Sequence, residues 1–142
     1  LHPGTGDALL TLVQKVPLAG GVIVTTPQDV ALLDVRRGIK MFEEVDVPVL
    51  GVVENMSYLT CSSCGHEAHV FDRGGGAKIA QEFGLPILGE IPISRQIAMS
   101  GDAGDPIIFR DENHPQCATF LDIAKKVLTK VDATDGRSDM LQ

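Results

Sequence analysis

This sequence lacks a basic excess, a long apolar run and a signal-like start. Its 12 Lys and Arg residues stand against 19 Asp and Glu residues, a formal net charge of −7. Nucleic acids and anionic membranes bind proteins through basic surfaces, so this balance argues against both as partners. No apolar run approaches the roughly 20 residues that span a bilayer, and no basic region followed by an apolar stretch opens the chain. The sequence therefore predicts a cytoplasmic protein.

Cysteine is also scarce, with 3 residues in the chain. Cys61 and Cys64 form a C-x-x-C pair, and in a reducing compartment a structural disulfide between them is disfavoured. Metal binding and redox chemistry are then the functional options. Thioredoxin-like redox chemistry needs the first cysteine at the start of a helix, and the residues after Cys61 do not begin an apolar-periodic helix. Redox chemistry is therefore the least favoured option.

The chain has 142 residues, of which 44% are hydrophobic, enough for one domain with a packed core. Apolar runs at residues 21–26, 48–55 and 87–92 predict strands, and the first two read as strands buried on both faces. Helical patterns alternate with these runs. Strand–helix–strand alternation predicts an α/β fold with a parallel sheet and right-handed crossovers.

Three helices are predicted between and after the strands. The first follows residue 26, with Thr26 as its cap and Pro27 in its first position. A short second helix covers residues 77–83 and ends at Gly84. The last begins at residue 115 and has an apolar stripe formed by Cys117, Leu121, Ala124, Leu128 and Val131. Residues 56–76 are predicted to be irregular, and residues 132–142 to be a loose polar tail.

Four motifs occur together in one order. They are P-G-T-G-D at residues 3–7, V-T-T-P-Q-D-V-A-L-L-D at 24–34, V-E-N-M-S at 53–57, and the Cys61/Cys64 pair. In this order they closely resemble the Mrp/ApbC/Nbp35 family, deviant-Walker P-loop ATPases that carry iron–sulfur clusters. The resemblance implies a P-loop NTPase-type fold of the SIMIBI class, with residues 1–131 as the C-terminal part of the ATPase domain and 56–76 as its cysteine-bearing loop.

The resemblance also implies a role for the glycine-rich start. The family's switch II matches Gly4, Thr5, Gly6 and Asp7, which are therefore predicted to be catalytic residues. Their backbone N–H groups would be directed to the γ-phosphate. The carboxylate of Asp7 would orient water or Mg²⁺. A helix N-cap turn explains the same residues without function. No strand precedes this turn and no Walker A loop is present, so an N-terminally truncated domain is expected. Without that loop and its lysine, ATP hydrolysis lacks its electrostatic apparatus, and catalysis by this chain stays open.

Two further residues match the family's nucleotide site. Asn55 is predicted to end a buried strand, where ligands bind in open parallel sheets, and its carboxamide suits the edge of adenine. Pro92 matches the segment that flanks the base. An asparagine that caps a strand end is an equally good interpretation from the residues alone. ATP and Mg²⁺ are thus expected cofactors of the complete protein.

Two thiolates can bind one metal centre but do not complete its ligand set. The resemblance implies that a 4Fe–4S cluster bridges a homodimer through Cys61 and Cys64, and that apo iron–sulfur proteins receive it. Alternatively, these cysteines with His66 and His69 hold zinc within one chain, in a nucleotide-binding or scaffold module without turnover. Free thiols on a loop are a third interpretation, and a partitioning-type regulatory ATPase would have no use for the pair.

Overall fold

The computed structural model describes residues 6–61, 63–71, 74–110 and 113–138, with side chains from residue 11 to 133 within these ranges. The elements follow in the order α1 (Gly6–Lys15), β1 (Gly21–Thr25), α2 (Asp29–Glu44), β2 (Val49–Thr60), β3 (Glu67–Ala68), α3 (Gly75–Phe83), β4 (Ile87–Ile93), α4 (Arg95–Asp102), α5 (Ile107–Arg110) and α6 (Pro115–Ser138). No helix within these ranges has both the length and the apolar character to cross a bilayer.

The long strand β2 lies at the centre of the sheet. It pairs in parallel with β1 along one edge and with β4 along the other. The two-residue strand β3 pairs antiparallel with the end of β2, where Leu59 faces Ala68 and Thr60 faces Glu67. Because Leu59 also pairs with Ile93 of β4, β3 lies on the β1 side of β2. The predicted α/β fold with a parallel sheet is confirmed.

Helices cover both faces of this sheet. On one face, Ile23 and Val52 of the sheet pack against apolar side chains of α2 and α3, which are Leu32, Ile39, Ile79 and Ala80. On the other face, Val53, Leu88 and Ile91 pack against Phe120, Ile123 and Val127 of α6. Adjacent residues of a strand point to opposite faces, so neighbours such as Val52 and Val53 belong to different cores. The result is three layers, each interface stabilised by about 1.5–3 kcal/mol per fully buried aliphatic side chain.

The face of α6 that packs on the sheet differs from the predicted stripe. Leu121 and Leu128 are 47% and 62% exposed, whereas Phe120, Ile123 and Val127 contact the core. The two stripes lie side by side on the helix, and the complementary surface of β4 decides between them. Gly89 provides space for Ile123, since a Cβ at position 89 would lie 2.5 Å from Cγ1 of that side chain.

The start of α2 also differs from the prediction. Gln28 is the N-cap and makes no side-chain capping hydrogen bond, so Thr26 does not cap this helix. Pro27 is instead buried, with its carbonyl oxygen only 2.5 Å from where a Cβ of Gly75 would lie. Pro27 thus packs against the start of α3, and α2 begins two residues later, at Asp29.

Two predicted irregular segments contain regular structure. β2 continues to Thr60, because its last residues find hydrogen-bonding partners in β3 and β4. The irregular stretch expected at 56–76 thus begins later and is interrupted by β3. At the other end, α6 continues through Ser138, beyond the predicted end at residue 131. Residues 132–138 contain no proline, which would break a helix.

Gly51 and Gly38 give a matched test of this packing. A Cβ at Gly51 would lie 2.7 Å from the carbonyl oxygen of Pro86, which is backbone and cannot move aside, whereas Gly38 of α2 has nothing within 4 Å. Gly51→Ala should lower the free energy of unfolding by about 1–3 kcal/mol through overpacking. Gly38→Ala should raise it by roughly 0.5–1 kcal/mol, since alanine favours a helix interior. Urea unfolding followed by circular dichroism measures both, and equal shifts for the two variants would contradict the β2–β4 geometry.

Candidate functional site

Strand β2 carries both groups of predicted site residues. Asn55 lies within the strand, and Cys61 follows its last residue, Thr60. At the rise of an extended strand, the six residues from Asn55 to Cys61 cover roughly 20 Å. The candidate nucleotide contact and the candidate metal ligands are therefore separate sites on one continuous piece of backbone.

Asn55 lies at an irregularity inside β2, not at a strand end as predicted. Its Oδ1 accepts a hydrogen bond from the backbone N–H of Met56 at 3.0 Å, and Met56 has a left-handed φ of 58°. The β2–β4 register shifts between Asn55 and Leu59. With Oδ1 engaged, the amide NH₂ of Asn55 is the group left to donate to a ligand.

Pro92 is brought next to this irregularity. Asn55 pairs with Ile91, the residue before Pro92. Pro92 is buried and has no N–H to donate, so it suits the point where the regular ladder is interrupted. The structure thus places Asn55 and Pro92 on neighbouring strands, one residue out of register, and their joint role in nucleotide binding stays a prediction.

The predicted switch II residues lie mostly outside the described part of the chain. Gly4 and Thr5 are not among the described residues. Gly6 is the first residue of α1 and Asp7 the second, and their backbones, but not their side chains, are described. Their catalytic assignment stays a prediction.

Cys61 and Cys64 lie on the turn that joins β2 to β3. The backbone N–H of Cys61 donates to the carbonyl oxygen of His66, and the N–H of Gly65 donates to the carbonyl oxygen of Cys61, both at 2.9 Å. Gly65 adopts a positive φ of 70°, which glycine tolerates best. Both cysteines are exposed, and neither forms a disulfide in this structure. The turn therefore presents two free thiols to solvent at the tip of a hairpin.

The turn also stabilises a thiolate. Hydrogen bonds from the backbone of Ser63, then from the backbone and the side chain of Cys64, lower the pKa of Cys61 below its ordinary value. Donors to the charged form favour it, and a thiolate is the form that binds metal. The contribution of the Cys64 side chain is in keeping with a pair of thiols on one turn.

The histidines do not complete a ligand set with these cysteines. Within the described residues, no three His, Cys, Asp or Glu side chains converge as a metal site. His69 Nδ1 lies 3.2 Å from the carbonyl oxygen of Ser57, within hydrogen-bonding distance. This contact leaves Nε2 of His69 open to a ligand, since a histidine that binds metal through one ring nitrogen commonly donates its other N–H to a carbonyl. The single-chain zinc site therefore stays a prediction.

A buried carboxylate beside Asn55 was not predicted as a site residue. Glu54 is 2% exposed; its Oε1 accepts from Ser57 Oγ at 2.6 Å and its Oε2 from the N–H of Gly76 at 2.5 Å. The signal available in the sequence is an acidic residue that continues the apolar run of residues 49–53, where a strand buried on both faces has no room for an unpaired charge.

A parallel sheet between two helical layers, with polar residues on adjacent strands, is the architecture of nucleotide-binding α/β domains. Solved structures agree. A nucleotide-binding protein from Archaeoglobus fulgidus, solved in complex with ADP, matches with a TM-score of 0.65 and 37% identity over 82% of this chain and 46% of its own. The cell division protein MinD of Aquifex aeolicus shares the fold, with a TM-score of 0.60 and 23% identity over 80% of this chain and 45% of its own. The fold is that of P-loop NTPases.

The family model described as ParA, NUBPL iron-transfer P-loop NTPase, matches residues 1–128, and the chain belongs to this family. An iron–sulfur cluster carrier protein of Pseudomonas fragi is 52% identical over 87% of this chain and 43% of its own length. The iron–sulfur cluster transfer protein NUBPL of Dictyostelium discoideum is 48% identical over 93% and 41%. The chain thus spans about two fifths of these relatives' lengths. The predicted family is confirmed.

The lowered pKa of Cys61 predicts its reactivity. In metal-free protein, Cys61 should be alkylated by iodoacetamide at lower pH than a cysteine in an unstructured C-x-x-C peptide, because a lowered pKa yields thiolate at lower pH. Mass spectrometry of the modified peptide gives the rate at each pH. Cys64→Ala removes the thiol donor but keeps the backbone donors, so the midpoint should rise only in part. A midpoint equal to that of the peptide would contradict the geometry of the turn.

Proposed function

We propose that the complete protein is an ATP-dependent carrier of iron–sulfur clusters, in which this chain supplies the cluster ligands and part of the nucleotide site. Cys61 and Cys64 of two copies bind one 4Fe–4S cluster between them, and the cluster passes to apo iron–sulfur proteins. The observation that carries the proposal is the exposed, hydrogen-bonded pair of thiols at the hairpin tip.

The incomplete ligand set supports sharing between two copies. A 4Fe–4S cluster is held by four thiolates, and one chain presents two clustered cysteines, while Cys117 is 1% exposed within the core. Because the two thiols are exposed at the end of a hairpin, the thiols of a second copy can approach them without a clash between the two sheets. Exposure also lets a client thiol replace a carrier thiol, which transfer requires. A cytoplasmic location suits this chemistry, since thiols stay reduced there.

The nucleotide half of the proposal rests on Asn55 and Pro92. A relative with 37% identity was solved with ADP, and the amide NH₂ of Asn55 can donate to an acceptor nitrogen of adenine. Gly4, Thr5, Gly6 and Asp7 act as switch II beside Mg²⁺ and the γ-phosphate. Phosphate binding and hydrolysis need the P-loop and its lysine, so turnover belongs to the complete protein.

Cluster binding is tested by anaerobic reconstitution with iron and sulfide. The expected product is a dimer with one cluster per two chains, measured by native mass spectrometry together with iron and sulfide analysis. Cys61→Ala and Cys64→Ala should each abolish the brown chromophore and the cluster-dependent dimer, because each leaves the cluster without its ligands. Cys117→Ala is the matched control and should retain both.

The zinc alternative predicts a different outcome of the same experiment. It requires one zinc per monomer, loss of that zinc in His66→Ala and His69→Ala, and no dependence of dimerisation on iron or sulfide. That result would overturn the shared-cluster proposal.

Asn55→Ala tests the base contact in the complete protein. Loss of the amide donor should weaken ATP binding by about 1–3 kcal/mol, or roughly 5- to 150-fold in Kd. Inorganic triphosphate has no base, so its binding should change little, which controls for local disruption at Met56. Isothermal titration calorimetry measures both ligands. An equal loss for triphosphate would show that Asn55 acts on the fold and not on the base.

A further inference from the structure

Glu54 has an environment that strand packing does not explain. Its carboxylate lies within β2, 2% exposed, between the core residue Val53 and Asn55. A buried carboxylate is stable only when its oxygens are hydrogen-bonded, and an apolar side chain of similar size is often as good or better for stability. For the packing of the strand itself, a valine at position 54 would be sufficient. The contacts of the carboxylate therefore point to a role outside the strand.

Those contacts join the two ends of one segment. Ser57 Oγ donates to Oε1 at 2.6 Å and the N–H of Gly76 donates to Oε2 at 2.5 Å. Ser57 comes directly before residues 58–75, and Gly76 comes directly after them. This segment contains the hairpin and both clustered cysteines. A single carboxylate thus holds the start and the end of the cysteine-bearing segment.

The C-terminal end of the segment, at Gly76, lies close to Glu54. Gly76 is buried, and a Cβ at this position would lie 2.9 Å from Oε2 of Glu54. At Gly75 a Cβ would lie 2.5 Å from the carbonyl oxygen of Pro27, and Gly74 adopts a positive φ of 80°. The N–H groups at the start of α3 are without helical partners, and the helix dipole favours a negative charge there. The carboxylate of Glu54 fills this position.

A second contact ties the middle of the segment to its start. His69, just after β3, has Nδ1 3.2 Å from the carbonyl oxygen of Ser57. Ser57 therefore hydrogen-bonds to Glu54 through its hydroxyl. Its carbonyl oxygen contacts His69, which follows the second strand of the hairpin. Displacement of Ser57 would change the direction in which the hairpin leaves the sheet.

We infer that Glu54 is a positioning residue for the cysteine pair: it sets where Cys61 and Cys64 stand relative to the sheet, and hence whether two copies place their thiols around one cluster. This inference rests on the proposed function. It assigns Glu54 no contact with the cluster or with nucleotide. The carboxylate acts through Ser57 and Gly76.

The test compares Glu54→Val with Glu54→Gln in the complete protein. Valine suits a buried strand but cannot accept a hydrogen bond from Ser57 or Gly76. Glutamine keeps the shape, and it can accept from Gly76 while donating to Ser57 Oγ. Glu54→Val should stay folded but with a lowered thermal midpoint, because it leaves the Ser57 hydroxyl and the Gly76 N–H unpaired. It should release its cluster to a chelator at least about tenfold faster and alter its visible circular dichroism. Glu54→Gln should restore most of the retention. Unchanged release and spectrum in folded Glu54→Val would overturn the inference.

A control variant separates positioning from general loosening of α3. Arg36 of α2 pairs with Glu82 of α3 at 2.8 Å, on an exposed surface, and Arg36→Ala removes this pair without touching Glu54. Cluster release should stay at the wild-type rate in Arg36→Ala. If Glu54→Val does not fold, Ser57→Ala takes its place: it frees the near end of the segment and should give several-fold faster release. Equal acceleration in Arg36→Ala would overturn the inference.

Hydrogen exchange of the metal-free protein gives a readout that needs no cluster. Glu54→Val should raise amide exchange across residues 58–75 at least about tenfold, with little change in β1 and α2, and Arg36→Ala should leave residues 58–75 unchanged. A wild-type protein that binds no cluster, with this exchange pattern intact, would refute the proposed function and support the role of Glu54 in holding the segment. A protein that binds its cluster, with exchange in 58–75 unaffected by Glu54→Val, would refute the inference alone.

Discussion

Pairing of β2 along both of its edges is the constraint on which the other features depend. β1 and β4 hold the first part of the strand, and β3 and β4 hold its end at Leu59 and Thr60. Backbone groups in a sheet interior must find partners, so the extended course of β2 is maintained well past the core. As a result, one strand carries Asn55 within the domain and delivers Cys61 at its far end.

This arrangement places the two candidate sites apart, one on β2 and the other on the turn that follows it. Asn55, the proposed base contact, lies where β2 and β4 lose their regular register, and the thiols lie at a solvent-exposed turn. Under the proposed function, that turn supplies half of a cluster's four ligands and a second copy supplies the rest. Glu54 lies at the point where the cysteine-bearing segment leaves and rejoins the sheet.

Sequence patterns predicted the strands and the site residues that follow local rules. β-branched runs indicated β1 and β2, the C-x-x-C spacing indicated the thiol pair, and motif order indicated the family, which the comparisons confirm. The predictions failed where partners distant in sequence decide. Thr26 does not cap α2, which begins at Asp29 after Pro27 has packed against the start of α3. Helix α6 turns Ile123 to the sheet because Gly89 leaves space for it.

The sequence by itself determined the α/β class, the parallel strands and the presence of two clustered thiols, because periodicity, propensity and spacing are local properties of the chain. Tertiary structure decided that His69 contacts the carbonyl oxygen of Ser57, how far β2 extends and which groups hydrogen-bond to Glu54. These outcomes depend on approaches between backbone segments such as Gly76 and β2, where a few tenths of an ångström separate a hydrogen bond from a clash. No local pattern in the sequence records distances of that kind.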